Sequence, residues 1–559
     1  MAAPIAARFG LGSGFAAGFL RPLCSLRRGA ASPSAVANAR RKHNPAVAKR
    51  QPAAAAQTGR AEWRSVVGLE VHAQIHSHSK LFSGAGVKFH AAPNSLVSYF
   101  DASLPGTLPV LNKRCVEAAV LTALALGCRI NMHSEFDRKH YFYSDLPAGY
   151  QITQQRLPIA EGGALRYQLF HGNRRNEAEE REVHIKQIQL EQDSGKSLHD
   201  ETRHRSLIDL NRAGVGLMEI VMEPNMSCGL EAATAVRELQ LILQALGTCQ
   251  AIMAEGHLRV DANVSVHLPG DPLGVRTEVK NINSLKFLAR AIDYEIERQI
   301  QMLDDGGEIF NETRSFDSRT GKTVQMRDKE AKQDYRFMPE PNLPPLILLD
   351  DASMAGAPGD HSVHDHSVNV DAMRRALPEL PAARRQRLVR RYGILAEHAS
   401  TLVNDGLVEY FEAVVDGNRR EPKKVIGWVI NELLGNLNER GISVGQSPVE
   451  PAALGELFDL VEKGSVSPAT GKLVLADLCT TRGQSPTEVV QTRGLWQLSE
   501  QAPLEACCQA VMDAHPKEVG LVKDGNVKVL NRLIGLVQRE LKGQGDAKMI
   551  RQILEKIMR

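Results

Sequence analysis

The sequence predicts an α+β protein: an antiparallel-sheet cradle over residues 65–350, then an all-α helical domain and an α-helical tail domain. Three observations predict it. Five segments between Val66 and Asn281 alternate apolar and polar residues with period two, the pattern of strands that bury one face. Beyond about residue 371 that alternation fades and apolar residues recur at helical spacing. Between them, Pro339-Glu340-Pro341-Asn342-Leu343-Pro344-Pro345 and a weakly apolar stretch from Ala352 to Asn369 read as the end of one domain and a linker, placed at 351–370.

The strands carry the candidate chemistry. In Val66 to Ile75, Val67, Leu69, Val71 and Ile75 share one face, and Glu70, His72 and Gln74 the other. Residues two apart on a strand project from one face about 7 Å apart, so Glu70 and His72 are a possible ligand pair for a metal ion. Taken alone, such a segment reads as a half-buried strand with a solvated polar face. The design recurs four times. Gln189, Glu191 and Asp193 oppose Ile188 and Leu190; Glu219 and Glu223 oppose Met218, Ile220 and Met222. Arg259, Asp261, Asn263 and Ser265 oppose Leu258, Val260, Ala262, Val264 and Val266. Arg276, Glu278 and Lys280 oppose Val275, Thr277 and Val279.

In one antiparallel sheet these five strands would build a wall of carboxylates. Like-charge repulsion makes such a wall costly unless something positive offsets it. Mg2+ is suited to the task, because it takes hard oxygen ligands and keeps waters for phosphate oxygens. Arg259, Arg276 and Lys280, with Arg138 and Lys139, suit the phosphates themselves. The combination points to Mg-dependent phosphoryl transfer, where charge neutralisation and positioning carry the catalysis. The alternative is a sheet with an ordinary solvated face.

Other classes find no support. Gly195-Lys196-Ser197 and Gly321-Lys322-Thr323 supply the end of a P-loop, but Leu190 and Phe316 stand where its first glycine is required. No G-x-S-x-G elbow, H-E-x-x-H or C-x-x-C pair occurs, so serine hydrolysis, zinc proteolysis and a zinc knuckle are unsupported. The eight cysteines read as reduced thiols. No run of about 18 apolar residues exists, so no membrane span is expected.

The first 61 residues hold ten Arg or Lys and no acid, and read as a mitochondrial transit peptide or disordered leader. Without those ten the formal charge falls from +3 to −7, so any case for nucleic acid must be local. Helices are expected at Val116 to Leu126 and at Glu231 to Leu246, the second with a cap in Asn225-Met226-Ser227. Further helices are expected at 400–416, 423–440, 451–463 and 468–480 in a domain spanning 371–484, which opens with seven arginines between Arg374 and Arg391. The tail, 485–559, carries two apolar stripes, Leu530-Leu533-Ile534-Val537-Leu541 and Met549-Ile550-Ile553-Leu554-Ile557. The run Phe136-Asp137-Arg138-Lys139-His140-Tyr141-Phe142-Tyr143-Ser144 sets cations beside aromatics. It could stack a base and grip phosphates, or pin its rings into the core.

Several motifs occur together and in order: Val67-Gly68-Leu69-Glu70-Val71-His72, Phe136-Asp137-Arg138-Lys139, Asp209-Leu210-Asn211-Arg212, Leu258-Arg259-Val260-Asp261-Ala262-Asn263, Glu278-Val279-Lys280-Asn281 and Asp334-Tyr335-Arg336-Phe337-Met338-Pro339-Glu340-Pro341. From about residue 66 to its end the chain resembles the B-subunit family of glutamyl-tRNA(Gln) amidotransferases (GatB). The resemblance implies a glutamine synthetase-like cradle, a helical domain and a tRNA-binding tail. It implies ATP-dependent phosphorylation of the glutamyl side chain of Glu-tRNA(Gln), using ATP and Mg2+. Ammonia from an amidase A subunit would then displace the phosphate, and a small C subunit would complete a heterotrimer in the mitochondrial matrix. By position, it implies catalytic roles for Glu70, His72, Glu219, Asp261 and Glu278. It implies metal contacts from Glu70, His72, Glu191, Glu219 and Glu278, and phosphate contacts from Arg138 and Lys139, which Arg259 and Lys280 join from the strand pattern. In the tail, Lys528, Arg532, Lys542 and Lys548 are the cations expected to meet an RNA backbone. Glu191-Gln192-Asp193 departs from the family's bacterial pattern of two glutamates before aspartate, which leaves the ligand set there open. The other readings are a non-catalytic tRNA-binding scaffold and a metal-dependent hydrolase of aminoacyl-tRNA that turns over without ATP.

Overall fold

Period-two patterning requires a partner for each strand edge and a cover for each apolar face, and the fold supplies both. The computed structural model describes residues 62–170, 178–326, 335–355, 367–497, 501–523, 526–541 and 544–558. The leader, Asp334, most of the expected linker and Lys542 lie outside them.

The five alternating segments lie side by side. Within a ten-stranded sheet they run Thr277–Ile282, Leu258–His267, Arg64–Gln74, Gly216–Met222, Ala178–Gln192, each antiparallel to its neighbours. They are named below by their acids: the Glu278, Asp261, Glu70, Glu219 and Glu191 strands. Beyond the Glu278 strand, Thr313–Asp317 joins in parallel and Lys322–Gln325 closes that side. Ala164–Phe170 pairs with the first half of the long Glu191 strand. The Glu278 strand begins at Thr277, later than its alternation suggested. Gly274 sits so close to the Val266 carbonyl that a Cβ would lie 2.1 Å from its oxygen, and Val275 and Arg276 are exposed ahead of the ladder.

Val67, Leu69, Val71 and Ala73 share one core with Ile188, Leu190, Met218, Ile220, Val260, Ala262, Val264 and Val279. Helices Lys113–Ala125, Gly229–Leu246 and Leu285–Asp304 contribute to that core and cover the apolar face. Each buried Val, Leu or Ile contributes about 1.5–3 kcal/mol, so this face fixes the register. A slip by one residue would turn every acid inward. The helix starts at Gly229, with its cap one residue beyond the expected Asn225-Met226-Ser227. Cys228 takes the cap position without a side-chain bond, and Ser227 instead donates from its N–H and Oγ to Glu231 Oε2 at 2.7 and 3.0 Å. Gly229 itself is dictated by packing, because a Cβ there would lie 2.1 Å from the Ala289 carbonyl oxygen of the neighbouring helix.

One side of the sheet is held by charge. Glu295, fully buried, accepts from Arg298 at 2.6 Å, Gln299 at 2.9 Å and Thr323 Oγ1 at 2.7 Å. Arg314 lies 3.5 Å from the same carboxylate and donates to Glu312 at 2.6 Å.

A second core gathers the helices from Pro381–Tyr392 to Pro486–Thr492, and Leu241 of the Gly229–Leu246 helix belongs to it. The two regions are pinned where Arg385 donates to Glu238 at 2.6 Å, both side chains buried. The expected 400–416 helix is two, Ala396–Asn404 and Val408–Asp416, because Gly406 turns left-handed at φ 67° between them. The 423–440 helix runs unbroken from Pro422 to Arg440 with a π-helical segment at Trp428–Leu433, where Trp428 packs on Gly471. The arginine-rich opening is largely neutralised, chiefly by acids on a later helix. Arg384 and Arg387 meet Glu379, Glu409 and Glu412, and Arg391 meets Asp416. In the tail, Val527–Glu540 and Ala547–Met558 interlock through Leu530, Leu533, Val537, Ile550, Ile553 and Leu554, as their stripes require.

Replacing Glu295 with Ala strands Arg298 and Arg314 in a largely buried setting. A loss of about 3–5 kcal/mol is expected, as for one partner removed from a buried ion pair. Urea unfolding of the wild type and variant measures it, and equal midpoints would show that the cluster contributes nothing.

Candidate active site

Strand alternation lifts the acids off the sheet, and the register decides which of them meet. His72 stands opposite Glu219 on one side and Arg259 on the other, and Glu70 stands opposite Asp261. Asn263 stands opposite Glu278, and Leu217 opposite Glu191. Two groups result.

The first is His72, Glu191 and Glu219, whose ligand atoms all lie within 4.8 Å of one another. His72 Nε2 is 3.9 Å from Glu191 Oε1. Both carboxylates are buried. Each accepts from an amide: Gln151 Nε2 donates to Glu191 Oε1 at 2.6 Å, and Gln189 Nε2 to Glu219 Oε2 at 2.7 Å. Glu191 Oε2 is buried with no hydrogen-bond partner among the described residues. An orphaned acceptor of this kind costs about 1–3 kcal/mol unless something occupies it.

The second group is Glu70, Asp261 and Glu278. Glu70 accepts from Asn263 Nδ2 at 3.1 Å. Lys280 Nζ lies 3.6 Å from Asp261 and 3.3 Å from Glu278, while Thr313 Oγ1 donates to Glu278 at 3.3 Å. Of the five residues expected at a metal, the fold therefore brings three together and leaves Glu70 and Glu278 outside that close cluster.

The electrostatics follow from this packing. Burial, and then the adjacent Glu191 carboxylate, push Glu219 well above the usual carboxylate range. Burial would raise Glu191 too, but Lys139 and His72 outweigh it and hold Glu191 below that range. Burial would lower the Lys139 ammonium, yet Glu191 and Glu219 facing it raise it overall. Two unit charges about 4 Å apart repel by about 4 kcal/mol at an effective dielectric of about 20. The pair is relieved either by a proton on Glu219, the carboxyl that is pushed up, or by a cation. Two carboxylate oxygens, one imidazole nitrogen and an unpartnered buried acceptor fit a divalent ion such as Mg2+ or Mn2+.

The cations separate by face. Lys139 looks onto Glu191 and Glu219, whereas Arg138, its neighbour on the strand Asp137–His140, turns away. Arg138 makes a two-pronged bond to Glu340 at 2.6 and 3.0 Å and lies 4.1 Å above the Tyr150 ring. Arg259 meets Asp193 at 3.0 Å, and Arg212 meets the same carboxylate at 3.1 Å. Arg259 and Lys280 flank the acids.

Gln192 lies outside the acidic cluster. Its Oε1 accepts from the Ile152 amide at 2.9 Å, and its carbonyl from Gln151 at 2.6 Å. It tethers the strand Tyr150–Thr153 that delivers Gln151. The sequence reading missed Gln151 and Thr153 because that strand is only four residues long. Gln189 was visible on the polar face of its strand, but nothing local shows that it caps Glu219.

A sheet face that carries a buried carboxylate pair, a histidine and flanking cations has the donor set of a catalytic site. Residues 65–354 match the GatB/GatE catalytic domain, and residues 409–558 match the GatB domain. The chain is 61% identical to the mitochondrial glutamyl-tRNA(Gln) amidotransferase B subunit of Danio rerio over 88% of this chain and 89% of that protein. It is 57% identical to the protein of the same name from Homo sapiens over 95% of each. It is 41% identical to the aspartyl/glutamyl-tRNA(Asn/Gln) amidotransferase B subunit of Brucella ovis over 88% of this chain and 95% of that protein. The chain belongs to the amidotransferase B-subunit (GatB) family. Among the described residues, no helix is long and apolar enough to cross a membrane.

Titration with Mn2+, followed calorimetrically, tests the cluster. Glu191→Gln is expected to weaken binding at least about tenfold, because a neutral amide removes a charged ligand. Arg138→Lys is expected to leave it within about twofold. Equal affinity in wild type and Glu191→Gln would exclude Glu191 as a ligand.

Proposed function

We propose that this chain is the kinase-like subunit of a mitochondrial, tRNA-dependent amidotransferase. Its cleft uses ATP to phosphorylate the glutamyl side chain of Glu-tRNA(Gln), and ammonia then displaces the phosphate to give Gln-tRNA(Gln). The observation that carries this reading is the buried Glu191–Glu219 pair with its orphaned oxygen, open to Lys139 and flanked by Arg259 and Lys280. A divalent ion held by His72, Glu191 and Glu219 would supply charge neutralisation for the nucleotide phosphates.

The chain's own residues have definable tasks. Lys139 balances the carboxylate pair and remains protonated, ready to meet a phosphate oxygen. Arg259, fixed by Asp193, and Lys280, fixed by Asp261 and Glu278, present guanidinium and ammonium groups along the same face. Glu70, set by Asn263, adds negative charge beside Glu219 and so favours cation binding there. Arg138 acts through Glu340, by holding strand Asp137–His140 in place.

The chain lacks the hydrolytic nucleophile motifs, so ammonia comes from a partner. Its relatives' names, as B subunits, support an amidase A subunit, and a small C subunit completes the proposed heterotrimer. The acid-free leader supports import into the mitochondrial matrix. A scaffold that only bound tRNA would have no use for a buried carboxylate pair, since an RNA backbone is itself anionic.

Glu70→Gln and Glu278→Gln, each in the purified complex, are expected to abolish ATP-dependent formation of Gln-tRNA(Gln) and to leave tRNA affinity unchanged. Full activity in both would sink the kinase assignment, and wild-type turnover without ATP would favour a hydrolase.

The tail is proposed as the tRNA-backbone contact. Lys548 is exposed, and Arg532 is largely so and makes a 3.6 Å ion pair to Glu518. Lys542 lies outside the described residues, and so does the side chain of Lys528. Neutralising all four is expected to weaken tRNA binding and flatten the salt slope by roughly 0.7–0.9 for each phosphate that is no longer paired. An unaltered slope would reject the site.

A further inference from the structure

The short strand Tyr150–Thr153 reaches both carboxylates of the acidic cluster. Gln151 Nε2 donates to Glu191 Oε1 and to the Gln192 carbonyl, both at 2.6 Å, and its Oε1 accepts from the Tyr141 hydroxyl at 2.9 Å. Thr153 acts on the second acid at one remove. Gln189 Nε2 donates to Thr153 Oγ1 at 3.2 Å and to Glu219 Oε2 at 2.7 Å, while Gln187 donates to Gln189 Oε1. Both ends of each amide are engaged, so neither amide can turn over without losing its bonds. Gln151, Thr153 and Gln189 are all buried. The strand itself is tethered by its ladder to Asp137–His140 and by the Ile152 N–H, which donates to Gln192 Oε1 at 2.9 Å.

Each glutamate therefore has one oxygen held by a buried amide, and Glu191 Oε2 has no hydrogen-bond partner among the described residues. Swinging either carboxylate to present both oxygens to one ion would break an amide bond, and a buried polar group that loses its partner costs about 1–3 kcal/mol. The arrangement favours one oxygen from each glutamate. That suits Mg2+, which is small, demands near-octahedral geometry and keeps several waters. Ca2+ takes more oxygen ligands and readily accepts a carboxylate through both oxygens. The simpler reading is that the amides only satisfy two buried acids, and it predicts no preference between the ions.

We propose that Gln151 and Gln189 determine the ion specificity of the metal site: by holding one oxygen of Glu191 and one of Glu219, they keep each carboxylate to a single contact and select Mg2+ over Ca2+. They are positioning residues that act through the two glutamates, and the strand Tyr150–Thr153 sets both, one directly and one through Thr153. This rests on the reading of His72, Glu191 and Glu219 as a metal site and adds to it which ion the site prefers and what enforces the preference.

The test titrates Mg2+ and Ca2+ separately into the purified amidotransferase complex, followed calorimetrically, with Glu191→Gln marking the signal of this site. Gln151→Met and Gln189→Met keep the length of the side chain and remove the amide. Loss of a group that orients a metal ligand typically costs roughly 10–100-fold in affinity. Mg2+ affinity is expected to fall about tenfold in each variant and Ca2+ affinity by less than about twofold, so that the ratio of the two shifts about tenfold toward Ca2+. Gln192→Ala loosens the same strand but keeps both amides, and its ratio is expected to stay within about twofold of the wild type. An unchanged ratio, or an equal loss of both ions, would overturn the proposal, because a merely structural role weakens both alike. A matching shift in Gln192→Ala would overturn it too, by assigning the effect to the strand. Should one methionine variant fail to assemble, the other decides; failure of both would make the amides structural and reject the proposal. Absence of binding of either ion to the wild type would overturn the metal site itself.

Discussion

Two carboxylates, Glu191 and Glu219, are buried side by side, and much of the catalytic region is explained by what makes that tolerable. Each has an amide donor, Gln151 for the first and Gln189 for the second. Each faces Lys139, and His72 closes the third side. The repulsion is offset only while all these groups stay in register, so the cleft needs a rigid floor. A wide, mostly antiparallel sheet with a continuous apolar underside provides it, since the interior on that side leaves no room for a strand to slip.

The regions around the sheet serve the same requirement. The buried Glu295 cluster ties the strand Thr313–Asp317 to the helix Leu285–Asp304, and that strand in turn flanks Glu278. Arg138 and Glu340 hold the strand that carries Lys139. Arg385 and Glu238 join the cradle to the helical region through one buried pair, while Leu241 contributes to the helical core from a cradle helix. The helical region is therefore seated on the cradle by packing as well as by chain connection.

Much of this was legible in the chain. Alternation identified all five acid-bearing strands, and the sheet joins them as neighbours in one antiparallel block. The two tail stripes pack as their spacing requires. Element ends were less legible, because they depend on local geometry that patterning does not carry. Gly406 breaks one expected helix by turning left-handed, and Gly274 delays the Glu278 strand by close approach to Val266. The arginine run between Arg374 and Arg391 looked strongly basic because its acids, Glu409, Glu412 and Asp416, lie on a different helix.

The sequence by itself determined which residues face the cleft, because the two-residue period of a strand assigns faces without knowledge of its neighbours. It also determined the chemical character of that face, acids interspersed with cations. Only the tertiary structure decided which acids meet. Cross-strand register sets His72 against Glu219 and Glu70 against Asp261, and the packing around the strand Asp137–His140 decides that Lys139 meets the acids while Arg138 meets Glu340. It also placed Gln192 outside the acidic cluster and drew in Gln151 from a separate, much earlier strand. Register and long-range contact arise from the whole core closing at once, and no local stretch of sequence contains them.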